Sequence, residues 1–251
     1  MQTHSIPIVN AYPIYDNTSP VSDAIPLNPI NNSTNKNKNI FIKNTFAVLL
    51  IQLSITFTGC ALTINNKPLV IEFINQYTGV IFVPIVIMPF SLIFLMCCSK
   101  NKTIKYIMFS IFTLSSTGVL AFVTIRYDTY IILQAITSTC IITGGVSIYA
   151  YICAKRGITF DEYEPYLFML VIALIMTGIF QLFIMSTILN AIIGFLGTIV
   201  FSGYLLYDVN QLYSNEDKYT DDPIISAINI YLDIINIFIY IIQCLECGNQ
   251  D

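Results

Sequence analysis

Residues 231–242 read YLDIINIFIYII, an apolar run that contains one acid, Asp233. A carboxylate at the centre of a bilayer costs roughly 2.5 to 3.5 kcal/mol even on the lenient insertion scale. The rest of the chain is similar in character, since 55% of its 251 residues are hydrophobic, only 10% are charged and the mean hydropathy is +0.72. Ordinary soluble domains have far more charge. The sequence therefore predicts a membrane protein in which Asp233 needs a place away from lipid.

Seven runs are long and apolar enough to cross a bilayer as helices. They lie at 44–64, 79–98, 106–125, 130–154, 166–186, 189–208 and 223–243. Near-continuous apolarity favours helices over the alternating strands of a membrane β-barrel. The predicted fold class is all-α, with a polytopic seven-helix domain at 39–251. The preceding residues, 1–38, are rich in Pro and Asn and are predicted to form a disordered cytosolic tail.

The basic residues predict the orientation of the chain. Nine of the eleven precede the first run or follow an even-numbered one: Lys36, Lys38, Lys43, Lys100, Lys102, Lys105, Lys155, Arg156 and Lys218. Only Lys67 and Arg126 fall on the other side. The positive-inside rule then places the N-terminus in the cytosol. Seven crossings would put the C-terminus on the luminal or extracellular side, whereas a re-entrant last segment would not.

Polar residues form a stripe on the last predicted helix. They recur at steps of three and four, which puts them on one face: Ser226, Asn229, Asp233, Asn236, Tyr240 and Gln243. Such a stripe would be unsatisfied in lipid, so it must face other helices or a water-filled cavity. The last helix is therefore predicted to lie centrally, with Asn229 and Asn236 lining a polar pathway around Asp233.

A second acid, Asp208, stands at the end of the sixth run. Two buried carboxylates that meet cannot both ionise cheaply, so they would share a proton and titrate as a pair within reach of physiological pH. We interpret Asp208 and Asp233 as a candidate pH-sensitive gate or cation site. Asp233 lies about 15 Å inside its helix, so contact requires one helix to be displaced along the membrane normal.

Two further acids, Asp221 and Asp222, precede Pro223 at the start of the last run. They suit the cap and first turn of a helix, with Pro at its first position. A ring of acids at a cation entrance is the alternative interpretation. Both interpretations stay open at this point.

The sequence offers little for a resident metal or a catalytic site. His4 is the single histidine, and it lies outside every apolar run. Cys244 and Cys247 have the CxxC spacing of redox or zinc pairs, but one isolated pair is a weak signal, and small apolar packing residues are the plainer interpretation. We predict no cofactor and no enzymatic activity.

Several segments together resemble the Bax-inhibitor-motif transmembrane family, also called Lifeguard. They are FSIFTLSSTGV (109–119), RYDTYIILQAI (126–136), LFMLVIALIMTGIFQLF (167–183), IGFLGTIVFSGYLLYD (193–208), YDVNQ (207–211) and IISAINIYLDIINIFIYIIQ (224–243). The chain looks most similar to the Golgi anti-apoptotic branch. A composition rich in Ile and Asn suggests an AT-rich genome, which would suit a viral member acting on its host.

The resemblance implies six helices wrapped around a central seventh, and a pH-sensitive calcium leak from Golgi or endoplasmic reticulum stores that inhibits apoptosis. It gives Asp208 and Asp233 the role of pH sensor and ion pathway, with transient calcium as their only metal, and it matches Asp221 and Asp222 to the family's acidic pair. The implied partners are the membrane, calcium ions, and apoptosis regulators or calcium-release channels. Nucleic acid is not implied, and the expected assembly is a monomer or weak homo-oligomer.

Two other functions compete with the leak. A non-conducting scaffold could bind apoptosis regulators without passing ions. An intramembrane aspartyl protease could use Asp208 and Asp233 as acid and base, but such enzymes carry Gly-x-Gly before the second acid, where this chain has Ile230, Tyr231 and Leu232.

Overall fold

The computed structural model describes residues 29–97, 101–214 and 222–247. These residues form eight α-helices and two short 3-10 helices, Thr78–Ile81 and Asp161–Tyr163. The α-helices are α1 (Pro29–Asn65), α2 (Lys67–Gln76), α3 (Phe82–Cys97), α4 (Lys102–Thr124), α5 (Thr129–Lys155), α6 (Glu164–Ile184), α7 (Thr187–Ser214) and α8 (Pro223–Cys247). No strand occurs within the described ranges, which confirms the predicted all-α class.

Seven helical segments are long and apolar enough to cross a membrane, as predicted. They are Asn37–Asn65, Gly79–Cys97, Thr103–Thr124, Thr129–Lys155, Asp161–Ile184, Thr187–Ser214 and Pro223–Cys247. The remaining helix, α2, was not predicted. Its ten residues span only about 15 Å, half of a hydrocarbon core, and none of them is buried. It connects two spans without crossing the bilayer.

The C-terminal helix α8 is the centre of the bundle. Half of the residues in its most apolar 18-residue stretch are buried, against 6% of the residues in the corresponding stretch of α6. It packs along α7, α1 and α5, while α3 packs on α4 and α6 packs on α7. The outer helices instead expose large apolar side chains, for example Phe90 and Phe168, which lipid satisfies. The predicted arrangement around a central last helix is therefore confirmed.

Two glycines let α7 approach α8 closely. A Cβ on Gly194 would lie 2.7 Å from the carbonyl oxygen of Tyr240 and 2.8 Å from the backbone nitrogen of Cys244. A Cβ on Gly197 would collide with the ring of Tyr240. Small residues at such positions are the usual means of bringing membrane helices together, so this pair fixes how α7 meets the central helix.

The predicted N-terminal tail lies mostly outside the described residues. Helix α1 begins at Pro29, within the segment 1–38 that was assigned to the tail. Residues 1–28 are not among those that the structure describes, and a disordered cytosolic tail stays a prediction.

Candidate functional site

Asp233 faces the interior of the bundle. Asp233 is only 5% exposed. Its Oδ2 atom is buried, and none of the described residues donates a hydrogen bond to it. The apolar remainder of α8 packs against the surrounding helices, with Ile237 and Ile242 fully buried. The acid is tolerated in this apolar run because the helix that carries it is central.

Asp208 reaches Asp233 because α7 continues beyond the end of the predicted sixth run. The run was expected to stop at residue 208, whereas α7 ends at Ser214. Asp208 therefore lies about 9 Å before the end of α7, and Asp233 lies about 15 Å after the start of α8. Because α8 returns antiparallel to α7, the axial difference is only about 6 Å. The two side chains line one cavity and are close enough to interact electrostatically.

A hydrogen bond between two carboxyl groups requires a proton on one of them, because two carboxylates offer acceptors only. A proton shared between Asp208 and Asp233, with titration of the two acids as a pair, stays a prediction. Without such a proton, two like charges would lie close together inside the bundle.

The pair lies in a cavity of about 830 Å³ between α6, α7 and α8. The polar lining consists of acids, phenols and amides: Asp208, Asp233, Glu164, Tyr204, Tyr207, Gln211, Asn229 and Asn236. No lysine or arginine is among the described residues that line it. Carboxylate and carbonyl oxygens are the ligands that calcium takes in proteins. The cavity is thus suited to a hydrated or partly hydrated cation.

Four polar residues of this cavity were not predicted from the sequence: Glu164, Tyr204, Tyr207 and Gln211. The Tyr207 hydroxyl donates to Glu164 Oε2 at 2.8 Å, and Gln211 Nε2 donates to the Tyr207 hydroxyl at 2.9 Å. This chain of hydrogen bonds ties the start of α6 to α7. The available signal was Glu164 directly before Pro165 and the apolar run; placing the span at 166–186 assigned that acid to a loop.

The polar stripe of α8 divides into two parts. Asn229, Asp233 and Asn236 line the cavity, and the Asn236 side-chain amide also donates to the Leu232 carbonyl at 2.8 Å. Tyr240 instead stacks on Phe201 of α7, with ring centroids 5.6 Å apart. Phe201 itself lines the cavity, so the two stacked rings lie at its border. The middle of the stripe thus faces the cavity, whereas Tyr240 packs against α7.

The acids before α8 are placed differently from the pair. Asp222 Oδ1 accepts a hydrogen bond from the Ile224 backbone amide at 2.9 Å, as a helix cap does. Asp222 also forms an ion pair with Lys105 at the start of α4. It is not among the residues that line the cavity. Asp221 lies outside the described residues, so an entrance role for these two acids stays a prediction.

The structure shows no preformed metal cage in the part of the chain that it describes. No group of three His, Cys, Asp or Glu side chains there converges on one point. Cys244 and Cys247 are free thiols, and Cys247 Sγ donates to the Thr187 carbonyl at 3.0 Å. Transient calcium at Asp208 and Asp233 stays a prediction.

A hydroxyl cluster on the opposite side of α8 was also missed. The Tyr231 hydroxyl lies 2.9 Å from Thr56 Oγ1 of α1 and 2.9 Å from Ser116 Oγ of α4. Tyr231 is fully buried, with the ring of Phe112 at its edge. Its partners are far away in sequence, and no spacing rule reveals them. The cluster holds the central helix to α1 and α4, away from the acidic cavity.

Comparison with known proteins places these features in a family. Residues 38–251 match the family described as Bax1-I, Inhibitor of apoptosis-promoting Bax1. Protein LIFEGUARD 1 of Arabidopsis thaliana is 30% identical over 82% of this chain and 88% of its own length. Protein lifeguard 4 of Mus musculus is 28% identical over 84% and 86%. The Golgi anti-apoptotic protein of Vaccinia virus (strain Lister) is 26% identical, again over 84% and 86%.

Proposed function

The chain belongs to the Bax1-I family of membrane proteins, and from this we propose that it is a calcium leak protein that inhibits apoptosis by lowering the calcium content of intracellular stores. The compartment is the Golgi, the endoplasmic reticulum or both. A relative over most of this chain is named a Golgi anti-apoptotic protein, which supports that assignment. The N-terminus is cytosolic in this proposal, because nine of the eleven basic residues fall on its side.

The observation that carries the leak is the pair of acids in the cavity. Asp208 and Asp233 lie together in a cavity whose described lining has three acids and no base. Ionisable groups inside a membrane are costly and generally mark ion pathways or proton relays. A protein that served only as a scaffold would gain nothing from that cost.

The cavity belongs to the cytosolic half of the protein in the proposed orientation. It is built where α6 begins, α7 ends and α8 begins, as shown by Glu164, Gln211 and Asn229 in its lining. That end of the bundle also carries Lys155 and Arg156. A cation would leave the protein through this cavity toward the cytosol, after passing the region that Phe201 and Tyr240 now close.

The shared proton is the basis of the proposed pH sensitivity. With the proton in place the pair has one negative charge and holds α7 to α8. When the proton leaves, two carboxylates repel each other and attract a divalent cation. Calcium occupancy of the pair therefore rises with pH, and the contact that holds the two helices together weakens.

Calcium flux from liposomes tests this function. The purified protein is reconstituted, and flux is followed from about pH 5 to 8. This range is chosen to include the release of the proposed shared proton. Wild type should leak calcium in a pH-dependent manner, and Asp208→Asn and Asp233→Asn should each suppress that dependence. Glu72→Gln, an exposed acid on α2, is the matched control and should behave as wild type. Undiminished, pH-dependent flux in Asp233→Asn would contradict the proposal.

A non-conducting scaffold is the second candidate function, and one observation favours it. The stacked rings of Phe201 and Tyr240 and the close contact at Gly194 seal α7 against α8 beyond the acids. If no flux occurs at any pH while the protein still protects cells from apoptosis, the scaffold is the better description, and binding of apoptosis regulators becomes the activity to measure.

A further inference from the structure

A second polar cavity lies on the other side of α7 from the acids. Its volume is about 860 Å³, and it is enclosed by α1, α5 and α7. Lys38 and Lys43 line the α1 wall, Lys155 lines the α5 wall, and Tyr213 of α7 lies between them. None of the described residues that line it is acidic. This lysine groove differs in charge from the acidic cavity and has no part in the proposed leak.

Aromatic contacts hold the cation on the α5 wall in place. The Lys155 ammonium lies 4.9 Å from the centroid of the Tyr151 ring, within the range of a cation–π interaction. Tyr151 in turn meets Tyr213 edge to face, with centroids 5.0 Å apart. Lys43 is exposed on the facing wall. Two lysines from different helices thus line one space.

The position of the groove identifies the kind of anion. Lys43 lies near the start of the first span and Lys155 is the last residue of the fourth, so both lie where a bilayer places its headgroups. The wall continues into apolar side chains that are open to lipid, such as Ile148, which is 63% exposed. A free phosphate would use only the lysines, whereas a lipid would use both the lysines and this apolar surface.

We propose that the lysine groove binds the headgroup of an anionic phospholipid that carries a phosphomonoester, with Lys43 and Lys155 as its charged ligands. A phosphomonoester adds about −1.5 to −2 charge to that of the phosphodiester, which matches cations on two walls better than a singly charged headgroup does. Basic pockets between membrane helices bind phosphoinositide headgroups in this way. The lipid would join α1, α5 and α7 at one face of the bundle.

Direct binding tests this site without any measurement of flux. Full-length protein in a non-ionic detergent is titrated with short-chain phosphatidylinositol monophosphate, with short-chain phosphatidylcholine, and with the deacylated headgroup. Lys43→Gln with Lys155→Gln should weaken phosphatidylinositol monophosphate binding by about 25-fold, since each lysine near an anionic headgroup contributes about 1 kcal/mol, or roughly fivefold. Arg156→Gln changes the neighbouring cation, which does not line the groove, and should bind as wild type.

The remaining arms decide between alternatives. Lys43→Arg with Lys155→Arg should retain binding, which separates loss of charge from misfolding. Equal affinity for phosphatidylcholine, or unchanged affinity in the double glutamine variant, would overturn the site. Equal affinity for the deacylated headgroup would overturn the lipid as its occupant in favour of a soluble phosphate. Because the readout is lipid affinity, a negative result leaves the calcium leak standing, and a protein that does not leak can still bind the lipid.

Discussion

The ring of Tyr240 on α8 stacks on the ring of Phe201 on α7, at 5.6 Å between centroids and 22° between planes. The stack is possible because Gly197 leaves room for the Tyr240 ring, where any Cβ would collide. Asp233 lies two turns earlier on α8 and faces the cavity that Phe201 lines. In the proposed orientation this aromatic stack therefore lies on the luminal side of the acidic pair, so a cation would pass it before reaching the acids.

Removing the Tyr240 ring should widen the proposed pathway at this stack. We expect Tyr240→Ala to increase calcium flux from liposomes severalfold, because the cavity would extend past Phe201 into the space that the ring now fills. Tyr240→Phe retains the ring and should leak as wild type. Phe183→Ala, at a side chain that is 82% exposed, controls for truncation of an aromatic residue. Flux that is unchanged in a correctly folded Tyr240→Ala protein would show that the stack does not limit the leak.

The close approach of α7 and α8 should make Gly194 sensitive to one added methyl group. Overpacking of a tight contact typically costs 1 to 3 kcal/mol, so Gly194→Ala should lower the free energy of unfolding by about 2 kcal/mol. A Cβ added to Gly178 on α6 would have no neighbouring atom within 4 Å. Gly178→Ala should therefore leave stability unchanged or raise it by about 0.5 to 1 kcal/mol. Reversible unfolding in mixed detergent measures both variants, and equal effects would contradict the packing argument.

The sequence was informative where lipid acts as the solvent. Each span must form its backbone hydrogen bonds within its own helix and present apolar side chains to lipid. Seven helices therefore follow from hydropathy alone. The same requirement predicts that Asp233 avoids lipid, because a polar stripe at helical spacing has no other stable environment. The location of the central helix could be inferred from that single argument.

The ends of the helices were less predictable. The hydropathy of residues 209–214 predicts a loop. Helix α7 nevertheless continues through them, because other helices cover its end. Asn210 there is only 2% exposed, and its amide donates to the Ile158 carbonyl at 3.0 Å and the Ala150 carbonyl at 3.3 Å. Those partners are distant in sequence. The extra turns are what bring Asp208 within about 6 Å of the level of Asp233 along the helix axes, and they depend on tertiary contacts.

Two roles of Asp222 can be separated by substitution. Asp222→Asn keeps a side-chain oxygen for the Ile224 amide but removes the charge opposite Lys105, whereas Asp222→Ala removes both. Loss of a helix cap costs about 1 kcal/mol, so the alanine variant should be less stable than the asparagine variant by about that amount. The same unfolding experiment measures the difference. If the two variants are equally stable, the hydrogen bond to Ile224 does not stabilise α8.

Replacing the CxxC thiols should not affect conduction. Cys247 Sγ donates to the Thr187 carbonyl, and a serine hydroxyl can make the same hydrogen bond. We expect the Cys244→Ser, Cys247→Ser protein to leak calcium as wild type under reducing conditions. A large loss of flux would give this pair a role in the pathway that neither its spacing nor its contacts indicate.

Calcium and the shared proton should compete for Asp208 and Asp233. By linkage, a ligand that binds the ionised pair must favour release of the proton to the same extent that the proton opposes the ligand. Raising calcium tenfold in the saturating range should therefore lower the midpoint pH of the pair by about one unit if each ion displaces one proton. In weakly buffered detergent solution, adding calcium to wild type should release protons. Glu72→Gln should release as many, whereas Asp233→Asn should release fewer, because a single carboxylate has no shared proton to lose. A midpoint that calcium does not move would mean that the pair senses pH without binding the transported ion, and the cation would then have to be bound by other oxygens of the cavity, among which Glu164 is the remaining acid.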